Sequence, residues 1–127
     1  MRDHTKLTAF LKADELVLEV YRITRGFPAE EIYGLKSQIR RAAVSVPSNI
    51  VEGCSRDGEK EFVRFLDIAF GSLRELSYQL SLSHRLDYIS LPDYQSIAPL
   101  LTETEKILAA LIRKIRSSQS QAKKQDR

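Results

Sequence analysis

Side chains that can carry acid–base, nucleophilic or metal chemistry are few and scattered in this sequence. His4 and His84 have no Cys, His or Asp partner at a spacing typical of zinc ligands, so no metal or other cofactor is expected. Cys54 has Arg56 nearby, which favours a thiolate, but no histidine close in sequence to act as its base. The sequence therefore predicts a protein that is not an enzyme.

The acidic residues near Cys54 also fail to suggest a metal site. Glu52, Glu59 and Glu61 alternate with Arg56 and Lys60, a pattern typical of a solvated or salt-bridged surface. The chain has neither a glycine-rich phosphate loop nor a nucleophile elbow.

Lysine and arginine remain as possible ligands for phosphate. The net charge is +3, and residues 113–127 hold six basic residues and one acidic residue, so the positive charge is regional. A basic chain of this kind permits nucleic acid as a partner without requiring it. The candidate nucleic-acid-binding residues are Arg40, Arg41, Arg56, Lys60, Arg64, Arg74, Arg113, Lys114 and Arg116.

Part of this set shares one face of a predicted helix. Lys60, Arg64 and Arg74 lie opposite the leucine-rich side of that helix, with Asp67 between them, and would form a phosphate-binding ridge. The alternative is a solvated face with ordinary ion pairs. Aromatic residues do not alternate with the basic ones, so any binding is expected to be directed at the backbone and weakly specific rather than to stack bases.

Helical periodicity dominates the chain and strand alternation is nearly absent. The spacing of apolar residues and the start signal at Pro28 predict helices over about 9–25, 28–53, 58–86 and 91–115, joined by short turns. This pattern predicts an all-α, antiparallel up-down-up-down four-helix bundle. Residues 1–116 would form a single domain, and the polar segment 117–127 a disordered tail.

Two of these helices have especially regular apolar positions. In the third they are Phe62, Leu66, Ala69, Leu73, Leu76 and Leu80, and in the fourth Tyr94, Ile97, Leu101, Thr104, Leu108, Leu111 and Ile115. The fourth helix begins with a predicted capping box, in which Ser90 is the N-cap and Asp93 bonds back to it.

The second helix contains ten residues without a charge, Ala42 to Val51. Its core-facing positions are Ala42, Ala43, Val46 and Ile50, whereas Val44, Ser48 and Val51 project roughly opposite. A helix that is apolar all round is normally covered on both sides, which predicts a subunit interface at Val44, Ser48 and Val51. The alternative is that these are scattered surface valines, which are common.

Pro47 interrupts the hydrogen bonds of this helix. It lacks the N–H that would bond to the carbonyl of Ala43, so a helix that continues through it must kink. In the alternative, the helix breaks and Asn49 caps a new one. The apolar positions keep their phase from Val46 to Ile50, which favours the kink.

The residues from Tyr33 to Gly53, "YGLKSQIRRAAVSVPSNIVEG", followed by "EFVRFLDIAFGSLRELSYQL", resemble a known family. It is the four-helix-bundle family encoded by intervening sequences within bacterial large-subunit ribosomal RNA genes, which is similar to the accessory protein of diversity-generating retroelements. The resemblance implies a barrel-like homopentamer with a basic surface, RNA or DNA binding, and no enzymatic activity. The residues that match the family motif are Tyr33, Gln38, Arg40, Arg41, Pro47, Ser48, Asn49, Glu52, Gly53 and Arg56.

Taken together, these features predict a homo-oligomeric, non-enzymatic module that binds RNA or DNA. The alternative is an interaction scaffold that docks a protein partner such as a reverse transcriptase. The N-terminus has no apolar signal region, no run of residues suits a membrane span, and the single cysteine fits a reducing compartment, so a cytoplasmic location is expected.

Overall fold

The computed structural model describes residues 2–125, and these residues form helices and turns without a strand. The helices are α1 (Thr8–Thr24), α2 (Leu35–Cys54), α3 (Glu59–Arg85) and α4 (Leu91–Gln125). Short 3₁₀ turns at His4–Lys6 and Ala29–Glu31 precede α1 and α2. The predicted all-α fold with four helices is confirmed. No helix of the described residues is both long and apolar enough to cross a lipid bilayer.

The four helices form a closed ring of contacts around one apolar core. Helix α1 packs against α2 and α4, and α3 packs against α2 and α4. The predicted apolar positions of α3, from Phe62 to Leu80, are all buried. The core is therefore built from one face of each helix, as amphipathic periodicity requires.

The buried face of α4 departs from the predicted heptad near its end. Ile97, Leu101, Thr104 and Leu108 are buried, but the next buried residue is Ile112, and Leu111 is only partly buried. A helix with 3.6 residues per turn drifts relative to a strict seven-residue repeat. After two heptads this drift turns Ile112 toward the core in place of Leu111.

The start of α2 lies later than the sequence predicts. Pro28 opens a 3₁₀ turn, and Gly34 has a non-helical backbone, so α2 begins at Leu35. The Glu31 carboxylate accepts the N–H of Leu35 at 3.3 Å. Ile32, which the predicted second helix would include, instead lies in the turn and is 46% exposed.

The two ends of α4 also differ from the prediction. Ser90 Oγ accepts the N–H of Asp93 at 3.3 Å as an N-cap should, but the Asp93 carboxylate contacts Arg22 of α1 at 3.3 Å. Residues 117–125 continue the helix where a disordered tail was predicted. They contain no Gly or Pro, and each residue added to an existing helix gains one hydrogen bond. Residues 126 and 127 of the predicted tail lie outside the described residues.

Helix α2 runs without a break through Pro47, which is buried. Asn49 does not cap a new helix; its amide donates to the carbonyl of Ser45 at 2.8 Å and to Ser45 Oγ at 3.0 Å. Ser45 Oγ also shares a 2.8 Å hydrogen bond with Ser72 Oγ of α3. The helix thus continues past proline with side-chain hydrogen bonds in the preceding turn, which also link α2 to α3.

Gly53 allows the C-terminal end of α2 to approach α3 closely. A Cβ atom at this position would lie 3.0 Å from Phe65 Cβ and 3.1 Å from Phe62 Cδ1. Because Phe65 Cβ is fixed to the backbone of α3, the contact can relax only if the two helices separate. The glycine sets the spacing of the two helices.

We expect Gly53→Ala to lower the free energy of unfolding by about 1–3 kcal/mol, because overpacking outweighs the better helix propensity of alanine. The matched control is Gly71→Ala in α3, where an added Cβ meets nothing within 4 Å. This control should gain about 0.5–1 kcal/mol from propensity. Urea unfolding of both variants measures the difference, and equal stability would contradict the close approach.

Candidate nucleic-acid interface

Four of the nine predicted nucleic-acid-binding residues are engaged in ion pairs on the surface. Arg64 pairs with Glu61 at 2.7 Å and Arg74 with Glu105 at 3.0 Å. The other two pairs are Arg56 with Glu52 and Arg116 with Asp67. Exposed pairs of this kind contribute about 0–1 kcal/mol to stability, but each carboxylate offsets the charge of its partner. The predicted ridge on α3 therefore carries the ordinary ion pairs of the alternative interpretation.

Two of these arginines also cover the same aromatic ring. The guanidinium carbons of Arg56 and Arg64 lie 5.1 Å and 4.5 Å from the centre of the Phe65 ring. Phe65 itself is buried. The two side chains are held close to the protein by cation–π attraction as well as by their acidic partners.

A different group of basic residues lines a groove between α1 and α2, called here the α1–α2 groove. Its volume is about 630 Å³. The polar lining residues all come from α2 and are Lys36, Ser37, Arg40, Arg41 and Ser45. The apolar lining residues are Tyr21, Ile32 and Val44. No acidic residue lines the groove, which distinguishes it from the α3 ridge.

Arg40 holds the two walls of the α1–α2 groove together. Its Nε donates to Thr24 Oγ1 at 2.9 Å and its Nη2 to the carbonyl of Tyr21 at 3.2 Å. The guanidinium also stacks on the Tyr21 ring at 4.4 Å. The last carbonyls of a helix have no partner within it, so Arg40 both bonds to the C-terminal end of α1 and complements its dipole.

Arg41 and Lys36 are the basic residues that the structure leaves available in this groove. Neither forms an ion pair within the described part of the chain. Arg41 is exposed and also borders a second groove, of about 390 Å³, between α2 and α3. Glu75 lines that second groove, whereas no acidic residue lines the α1–α2 groove.

The remaining predicted cations lie elsewhere. Lys60 lies in the first turn of α3, and Arg113 and Lys114 lie late in α4. All three are exposed and make no ion pair with the described residues. The pair between Asp67 and Arg116 brings the start of α3 and the end of α4 together. The nine predicted residues therefore divide among separate surfaces.

Sequence reasoning missed the contribution of Tyr21 to the groove. The basic residues at 36, 40 and 41 follow helical spacing within one segment, and this signal was available in the sequence. Tyr21 lies on another helix, and the packing of α1 on α2 is what brings it to these cations.

The predicted interface residues lie on the outer side of α2. Val44 is 39% and Val51 37% exposed, and Ser48 is also exposed. On α1, Leu11 and Leu18 are exposed apolar residues as well. Val44 lines the α1–α2 groove, whereas Ser48 and Val51 lie one and two turns beyond it.

Cys54 and His84, the residues considered for catalysis or metal binding, are packed against other parts of the fold. Cys54 is buried, and burial raises the pKa of its thiol, against a smaller opposing effect of Arg2. His84 stacks on Tyr94 at 4.6 Å, and its Nδ1 lies 3.0 Å from the carbonyl of Ile89. The described residues contain no group of three or more His, Cys, Asp or Glu side chains that could hold a metal ion.

The fold and the groove define an all-α protein of four helices with a basic surface groove that no acidic residue lines. The sequence model of the 23S rRNA-intervening sequence protein family matches residues 5–110, and the chain belongs to this family. The resemblance seen in the sequence is confirmed.

A solved structure supports this assignment. The chain is similar to a protein of unknown function from the S23 ribosomal protein family of Bacteroides thetaiotaomicron, with 27% sequence identity and a TM-score of 0.75. The similarity covers 83% of this chain and 95% of that chain. Among curated proteins, none matches this sequence.

We expect adjacent arginines of α2 to differ in their effect on stability. Arg40→Gln should lower the free energy of unfolding by about 1 kcal/mol, because it removes partly exposed, charge-assisted hydrogen bonds to α1. Arg41→Gln, the matched control, should change it by less than about 0.5 kcal/mol. Thermal or urea unfolding compares them, and equal losses would contradict the structural role of Arg40.

Proposed function

We propose that this protein is a homo-oligomeric binding module without catalytic activity, which holds RNA or DNA through its phosphate backbone. The observation that carries the proposal is the α1–α2 groove, where Lys36, Arg40 and Arg41 converge without an acidic residue. When such cations neutralise phosphates, condensed counterions are released. This release drives binding that depends little on the nucleotide sequence.

Further features support phosphate as the ligand. Ser37 and Ser45 add hydroxyl donors to the same groove, and hydroxyl groups commonly bind phosphate oxygens. The names of the matching family and of the similar solved protein refer to 23S rRNA and to a ribosomal protein, which favours RNA. The single, buried Cys54 fits a role in the reducing cytoplasm.

We further propose that the four helices follow an antiparallel up-down-up-down course. Pairs of contacts between two helices support this topology. As the residue number rises along one helix, the number of the residue that it contacts falls along the other, as antiparallel helices require. From α1 to α4 the ion pairs are Lys12–Glu103 and Arg22–Asp93. From α3 to α4 they are Asp67–Arg116 and Arg74–Glu105.

The proposed subunit interface includes Val44, Ser48 and Val51. Val44 and Val51 are exposed, and they lie on a segment of α2 that contains no charged residue. On α1, Leu11 and Leu18 follow each other at a spacing of seven residues and share one side of the helix, where they are also exposed. The two sets offer apolar surface for a second copy, and the family resemblance implies that the assembly is a pentamer.

We expect Val51→Glu to reduce the molar mass in solution toward the 14.5 kDa of one chain, because a buried unpaired carboxylate disfavours the interface. Val51 is preferable to Val44 for this test because Val44 also lines the groove. Light scattering measures the molar mass of the wild type and of Val51→Glu, and Tyr78→Glu on the exposed side of α3 is the control. A wild-type monomer at micromolar concentration would refute the interface.

We expect binding of a structured RNA to weaken steeply with salt. Each neutralised phosphate contributes about 0.7–0.9 to the slope of log K against log salt, so the double variant Lys36→Gln, Arg41→Gln should have a shallower slope by about 1.4–1.8. The matched control is Arg64→Gln, Arg74→Gln, which removes the same net charge from paired residues. Fluorescence anisotropy across a salt series measures all three proteins.

Absence of RNA and DNA binding at low salt would contradict the proposed function. In that case, retention of a protein partner such as a reverse transcriptase by both wild type and the charge-reversed Arg40→Glu, Arg41→Glu protein would favour the scaffold alternative. Equal slopes for the two double variants would remove the groove as the binding surface.

A further inference from the structure

We propose that the α1–α2 groove accepts one unpaired nucleotide of a single strand, with its base against Tyr21 and its phosphate at Lys36 and Arg41. The inference rests on the proposed function, since it takes nucleic acid as the ligand. It adds a contact to the base that backbone binding alone does not require.

The apolar wall of the groove is the first reason. Tyr21 and Ile32 remain 38% and 46% exposed, although each has a large apolar surface to bury. A phosphate and its sugar bury little apolar surface against such a wall, whereas the face of a base stacks favourably on an aromatic ring.

The position of Arg40 strengthens this wall. Its guanidinium lies 4.4 Å from the centre of the Tyr21 ring and is fixed by hydrogen bonds to α1. The ring is therefore held in place before any ligand arrives, and less conformational entropy is lost on binding. The stacked guanidinium is a second flat surface that suits a base.

The polar wall of the same groove is formed by the side chains of α2. Ser37 and Arg41 are four residues apart on α2, as are Lys36 and Arg40, so each pair lies on adjoining turns of the helix. Lys36 and Arg41 have no acidic partner among the described residues. The volume of about 630 Å³ lies within the range of about 300–1,000 Å³ of small-molecule sites, which is suitable for one nucleotide.

A duplex cannot use both walls at once. Paired bases are stacked on their neighbours, so their faces are not accessible to a tyrosine, and only unpaired bases, loops or strand ends can place a base face on Tyr21. The groove therefore predicts a preference for single strands.

The other cluster of aromatic and basic residues lacks these properties. Phe65 is buried and already carries Arg56 and Arg64 against its ring, and both arginines have acidic partners. It offers neither an open ring nor unpaired cations. The α1–α2 groove combines an exposed aromatic ring with cations that are unpaired among the described residues.

The absence of tryptophan from the chain permits a direct test. In the Tyr21→Trp variant, a ten-nucleotide single-stranded RNA should quench the new indole fluorescence, because a stacked base quenches it. The same strand in a duplex, and an abasic strand of equal charge, should bind with little quenching. Tyr78→Trp, on an exposed site of α3, is the control and should show none.

A second variant measures the affinity gained from the base. Tyr21→Leu should weaken binding of the single strand about tenfold, as expected for loss of one stacking contact, and should leave binding of the abasic strand unaffected. Circular dichroism and urea unfolding check that the variant keeps its fold. Adenosine monophosphate, added as a competitor, should act only at far higher concentration than the strand.

Several results would overturn the inference. Equal quenching by abasic or duplex nucleic acid would exclude the base contact, and so would an unchanged affinity of Tyr21→Leu for the single strand. If binding still depended on salt in that case, the proposed function would stand. Stronger binding of the free mononucleotide than of the strand would show that the ligand is not a single strand. If no nucleic acid bound at low salt, both proposals would fail.

Discussion

Helix α2 lies between α1 and α3, and its close contact with both neighbours constrains the rest of the structure. Toward α3, Gly53 leaves no room for a side chain beside Phe62 and Phe65, and Ser45 bonds directly to Ser72. Toward α1, Arg40 binds the carbonyl of Tyr21. Small residues permit the approach on one side and hydrogen bonds fix it on the other. The α1–α2 groove is a consequence of this placement.

Arg40 and Arg41 show how one step along a helix separates a packed side chain from an exposed one. Successive residues of an α-helix point about 100° apart, since 3.6 residues complete a turn. Arg40 therefore reaches the end of α1, whereas Arg41 faces the open surface between two grooves. A sequence shows two identical residues here, and their difference arises from the direction in which α1 lies.

Periodicity predicted the helices and most of the core because these depend on residues within one segment. The buried positions of α3 follow directly from the spacing of Phe62 to Leu80. Errors occur where another influence competes: Gly34 delays α2 and exposes Ile32, and helical drift replaces Leu111 with Ile112. The site was predicted only in part, since Arg40 and Arg41 are visible as a basic pair but Tyr21 joins them through tertiary packing, and the acidic partners of Arg74 and Arg116 lie far away in sequence.

The basic residues near the two ends of α2 are electrostatically independent. Lys36 and Cys54, near the two ends of α2, are about 27 Å apart at a rise of about 1.5 Å per residue. The Debye length at physiological salt is about 8 Å, so cations beyond Cys54, such as Arg56 and Lys60, scarcely influence an anion in the α1–α2 groove. Carboxylates accompany Arg56, Arg64 and Arg116 but none lines the groove, so the charges of Lys36 and Arg41 are offset by no acidic partner among the described residues.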